Sequence, residues 1–80
     1  MDRTEAVARV VKVVTETLEV KPEDVIESAS YVEDFDADSL DLVELVMAFE
    51  DEFEVSIPEE SIESIKTIGQ TVDFIVANAG

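Results

Sequence analysis

The chain has no cysteine, no histidine and no tryptophan, and only five basic residues to set against 21 acidic ones. Without cysteine there is no disulfide and no thiolate metal site, and the redox compartment leaves no trace. Without histidine the usual general base, the usual zinc ligand and any serine–histidine pair are gone. The shortage of bases leaves a formal net charge of −16. Phosphate recognition needs lysine and arginine, so nucleic acid is excluded as a partner. An anionic membrane surface would repel the chain. No apolar run approaches the roughly 18 residues that span a bilayer. The opening MDRTEAVARVVKVV lacks the basic, then apolar, then small-residue order of a secretory signal. These features predict a cytoplasmic chain.

What is present is enough for one folded unit. Eighty residues, 46% of them hydrophobic, make a single domain spanning 1–80 with a packed core. A chain of this size buries only about 60% of the surface it exposes when unfolded, so its stability is modest. Solubility needs a net charge of only about 2–8, and the excess points to basic protein partners met by electrostatic steering. The charge is also localised. Four bases lie at Arg3, Arg9, Lys12 and Lys21, and none follows until Lys66. The middle of the chain is a surface of one sign.

Apolar spacing predicts helices. Val7, Val10, Val11, Val14 and Leu18 recur at helical period, giving a helix over 4–18 capped by Asp2 or Thr4. Pro22 breaks the pattern, and Glu23-Asp24 opens a single turn. Residues 19–37 then read as a long connection anchored by Val25, Ile26, Tyr31, Val32 and Phe35. Residues 39–53 form a helix with Asp38 as N-cap and Asp41 completing a weak capping box. After an extended stretch over 54–57, Pro58 with Glu59-Glu60 begins a short helical turn. Thr67-Ile68-Gly69-Gln70 is a capping box for a last helix whose apolar face is Ile68, Val72, Ile75 and Val76.

The central helix carries two apolar faces. At 100° per residue, Leu42, Leu45, Val46, Phe49 and Phe53 form one stripe, facing the core. Leu40, Val43 and Met47 form a second on the opposite side, edged by Asp41, Glu44, Glu50 and Asp51. An apolar strip with a charged rim is how a docking surface is built, and methionine adapts to several partners. A neighbouring helix covering the strip is the competing explanation.

The segment DFDADSLDL, Asp34 to Leu42, is a comb of carboxylates around one serine. Asp34, Asp36 and Asp38 match the first three ligands of an EF-hand loop. The position that needs glycine holds Ser39, and the position that needs a bidentate glutamate holds Leu45, so no specific metal site is expected. Ser39 has no base to activate it, and the surrounding carboxylates disfavour an alkoxide, so a self-contained enzyme is not expected. Two roles remain open on the residues alone: a plain helix cap, or a modification site at which a phosphate would meet the free N–H groups of a helix start.

Asp38-Ser39-Leu40-Asp41, followed by Val43-Glu44-Leu45-Val46-Met47, resembles the acyl carrier proteins. The resemblance extends through Val20-Lys21-Pro22-Glu23-Asp24-Val25, Ser30-Tyr31-Val32-Glu33-Asp34, Phe49-Glu50-Asp51-Glu52-Phe53, Ile57-Pro58 and Thr67 to Ile75, covering nearly the whole chain in order. It implies an all-α fold, a small four-helix bundle with one short helix. It implies 4′-phosphopantetheine from coenzyme A on Ser39, placed by a Mg²⁺-dependent phosphopantetheinyl transferase, with acyl chains held as thioesters for type II fatty acid synthesis. The implied partners are malonyl and acyl transferases, ketosynthases, reductases and dehydratases with basic patches, meeting a monomer. Carried over by position, the docking residues are Asp38, Leu40, Asp41, Val43, Glu44, Met47, Glu50 and Asp51. The acyl chain would lie in the bundle interior, with Val46 and Phe49 as wall residues.

One position departs from the family pattern. Two residues before Asp38, where the family usually has glycine, stands Asp36, which tolerates a positive φ less well and adds charge beside the serine. Phe35, where leucine is usual, is a milder change. A discrete carrier for a polyketide or other specialised acyl pathway is the alternative within the family. An acidic calcium-binding or regulatory protein is the alternative outside it.

Overall fold

A computed structural model describes residues 1–79; the chain's end at Gly80 lies outside them. Among the described residues there are five α-helices and no sheet: α1 Arg3–Leu18, α2 Tyr31–Phe35, α3 Ser39–Phe53, α4 Glu59–Ile62 and α5 Ile68–Asn78, with a 3-10 turn at Pro22–Asp24. The three long helices make the body, with α1 packed against both α3 and α5. None of these helices is long and apolar enough to cross a membrane.

Local chemistry explains where the helices begin. Asp2 caps α1 by accepting from the Glu5 N–H. Thr67 and Gln70 close a reciprocal capping box on α5, satisfying N–H groups that a helix start leaves without partners. The valine-rich α1 is a poor intrinsic helix and is held by burial. Its buried face is Ala6, Val10, Val13 and Val14. Val7, Val11 and Leu18 pack at its margin, so the stripe is turned slightly from the one the spacing predicts. The core continues through Leu45, Val46, Phe49 and Phe53 of α3 and Ile68, Val72 and Ile75 of α5. Val76, expected on that last face, is exposed.

The 19–37 connection is more structured than the sequence implied. Val25 and Tyr31 are buried as anchors and Phe35 is partly buried, but Ile26 and Val32 point outward. Small Ala29 and Ala37 fill the inward positions instead. The connection contains α2, a helix the spacing did not predict: at its start the Ser30 hydroxyl accepts from the Glu33 N–H, and Asp34 accepts from the Ser30 N–H at 2.6 Å. A five-residue helix burying one side chain has no period to read.

A backbone strap fastens this connection to the start of α5. The Tyr31 N–H donates to the Lys66 carbonyl, Ile68 to Ala29, and Gly69 to Glu27 at 2.8 Å. A Cβ on Gly69 would crowd the Glu27 carbonyl oxygen at 3.0 Å, so the close approach favours glycine there.

Candidate attachment site and docking face

Ser39 is the first residue of α3 and is exposed. The cap of this helix belongs to its neighbour. The Asp38 carboxylate accepts from the Asp41 N–H at 2.9 Å, and the Asp41 carboxylate accepts from the Asp38 N–H at 3.1 Å. The Ser39 hydroxyl is left without a capping role. Among the described residues, no group accepts from the N–H of Ser39 or of Leu40. A hydroxyl free in solvent, beside free N–H donors at the positive end of a fifteen-residue helix, suits a phosphodiester.

Asp34 and Asp36 of the comb both serve α2. Asp34 bonds back to Ser30, and Asp36 closes the C-terminus of α2 in a left-handed conformation, φ 54° and ψ 32°. The N–H groups of Asp36 and Ala37 both donate to the Tyr31 carbonyl. The position before the attachment segment therefore does require the positive φ that glycine adopts most easily.

The second stripe of α3 is open. Leu40 is 66% exposed, Val43 52% and Met47 61%, so no helix among the described residues covers them. Asp38, Glu44 and Asp51 are exposed around them. Two of the expected rim carboxylates are partly engaged within the fold. Asp41 serves the capping box, and Glu50 accepts from the Ile57 N–H at 2.8 Å, pinning the turn after α3.

On the opposite side of α3 lies a cavity of about 630 Å³, between α2, α3 and the α4–α5 segment. The most buried residues lining it, its floor, are Tyr31, Leu45 and Phe49, exposed by 2%, 1% and 1%. Leu42, Val46, Ile62, Ile65 and Thr67 wall it. Its rim is Val32, Glu33, Glu63, Lys66 and Gln70, all exposed. The expected wall residues Val46 and Phe49 are both among those that line it. Spacing along one helix does not reveal the rest, because the lining comes from segments far apart in sequence.

Comparison with known proteins fits this geometry. The sequence pattern of the phosphopantetheine attachment site matches residues 8–75. The chain belongs to the acyl carrier family. Its cofactor is 4′-phosphopantetheine, held covalently. The fold is similar to the solved acyl carrier protein from Enterococcus faecalis, a protein described for its high thermal stability. The TM-score is 0.81 and the identity 35%, over 98% of this chain and 99% of that one. Domains of this carrier class are generally non-catalytic.

Proposed function

We propose that Ser39 takes the 4′-phosphopantetheine arm and that the protein carries growing fatty acyl chains among the enzymes of type II fatty acid synthesis. The observation that carries this is the serine itself: exposed, released from capping by Asp38, and adjoining an uncovered apolar strip. Bound there, the arm supplies the terminal thiol that a cysteine-free chain lacks, and acyl groups ride on it as thioesters.

The chain's own residues do the rest. The Ser39 Oγ would hold the arm as a phosphodiester, formed by attack on the pyrophosphate of coenzyme A with adenosine 3′,5′-bisphosphate leaving and the hydroxyl proton passing to the transferase, and the first-turn N–H groups and helix dipole would stabilise its charge. Leu40, Val43 and Met47 enter shallow apolar pockets on a partner, while Asp38, Glu44 and Asp51 meet its basic groups. Asp41 and Glu50 contribute charge at that rim while holding the helix start and the following turn. Val46 and Phe49 shelter the acyl chain in the cavity beside α3. The partners are a phosphopantetheinyl transferase, malonyl and acyl transferases, ketosynthases, reductases and dehydratases, meeting a cytoplasmic monomer.

Intact mass after incubation with coenzyme A, Mg²⁺ and a broad-specificity transferase tests this. The unmodified protein is expected to gain one arm, and Ser39→Ala none. A folded sample that gains nothing would remove Ser39 from this role. Loading with an acyl group and offering it to ketosynthases of fatty acid and polyketide pathways then separates those two assignments.

A further inference from the structure

Two hydroxyls at the cavity beside α3, one on a lining residue and one bonded to it, are not used by the attachment chemistry. Tyr31 forms part of the floor. Its phenol is hydrogen-bonded to Thr71, which is 1% exposed and does not line the cavity. Thr71 has a single hydroxyl proton and donates it to the Thr67 carbonyl at 3.0 Å. Between the two hydroxyls, Tyr31 is therefore the donor. Burial pushes the Tyr31 phenol well above its ordinary range, so it keeps its proton and remains a donor. The Tyr31 backbone is tied as well, through its N–H to the Lys66 carbonyl at 3.2 Å.

The three floor residues thus respond differently to a lengthening alkyl chain. Leu45 and Phe49 have no polar atom and turn aside at the expense of packing alone. Tyr31 cannot turn without breaking a bond buried away from water, leaving its own hydroxyl orphaned. We propose that the Tyr31–Thr71 hydroxyl pair sets the acyl chain length this cavity accepts, admitting short and medium saturated chains and turning longer ones out to the rim. The inference rests on the reading of the cavity as the acyl site.

The test loads the arm with saturated chains lengthened two carbons at a time and measures cleavage of the thioester by hydroxylamine. In the wild type, protection is expected to rise with length and then level off. Tyr31→Phe keeps the ring and leaves Thr71 bonded to Thr67. It is expected to move the plateau at least two carbons further. The first chain beyond the wild-type plateau is then cleaved about tenfold more slowly, as burial of two further methylenes requires. Thr71→Ser keeps the pair and should keep the wild-type plateau, which a change in packing alone would not ensure. Should Tyr31→Phe fail to fold, Tyr31→Phe combined with Thr71→Val removes both polar partners at similar volume and reads the same plateau. Protection that rises and levels off at the same length in every variant would overturn the tether while leaving the acyl cavity intact. No protection at any length, in any of the proteins, would overturn the cavity's role and the tether with it.

Discussion

Asp36 shows how one side chain can hold a site and tax it at once. Its left-handed φ of 54° turns the chain from α2 toward the cap of α3. For an L-residue that conformation costs about 1–2 kcal/mol, less for aspartate, which tolerates it. Its charge also sits at the C-terminal, negative end of α2. Glycine would remove the strain and the charge but brings its own chain entropy, about 0.5–1 kcal/mol. Asp36→Gly is therefore expected to stabilise the fold by about 0.5–1 kcal/mol, a rise of a few degrees in thermal midpoint for a domain this small. A melt that stays the same or falls would show that the aspartate is at ease there. The same geometry recurs at Glu19, φ 56°, and Glu54, φ 52°, so acids close all three of these helix ends. The capping role of the serine was undecided in the sequence because Asp38 and Ser39 are both good N-caps; the hydrogen bond from the Asp41 N–H to Asp38 decided it.

Among elements, the junction of α1 with the end of α3 has the most specific chemistry. Arg9 donates to the Glu52 carboxylate at 2.7 Å and to the Glu52 backbone carbonyl, and its guanidinium lies 4.8 Å from the centre of the Phe53 ring. The pair is only partly buried, so the ion pair and the ring contact each contribute on the order of 1 kcal/mol or less. Arg9→Ala is expected to destabilise by about 1–2 kcal/mol in chemical denaturation. Arg9→Lys should recover only part of that, since an ammonium lacks the planar fork. Equal stabilities for arginine and lysine would count against the fork geometry. The long helices and their caps were legible at this scale: α3 runs over the predicted residues, and both of its apolar faces lie where a 100° step puts them. The short α2 was not, and neither was the outward turn of Ile26 and Val32, because no periodicity operates in a connection held by single anchors.

The whole molecule is governed by its charge. A formal −16 is spread over a body of 30 × 26 × 19 Å. At 0.01 M salt the screening length is about 30 Å, as long as the molecule, and every acid feels the others; at 0.1 M it is about 10 Å. Among the described residues, Arg3, Arg9 and Lys12 lie within ion-pair distance of acids, and these pairs involve only Glu27, Glu52 and Asp73. The rest of the negative charge is left to self-repulsion. Raising salt from 0.01 to 0.1 M is expected to raise the thermal midpoint by several degrees, and Mg²⁺ to do so at lower concentration. A midpoint indifferent to salt would show that the repulsion is already balanced.

By itself the sequence determined the helix class, the capping boxes of α3 and α5, the second apolar stripe and the acidic middle, because each follows from neighbours within a few residues. The family resemblance was legible for the same reason, being carried by short runs kept in order. Tertiary structure alone decided that Leu40, Val43 and Met47 stay exposed, that Glu50 bends to serve the Ile57 N–H, and that Tyr31 and Thr71, forty positions apart, share a buried hydrogen bond. Those outcomes depend on which distant segments meet, and packing, unlike periodicity, is not written in any one stretch of chain.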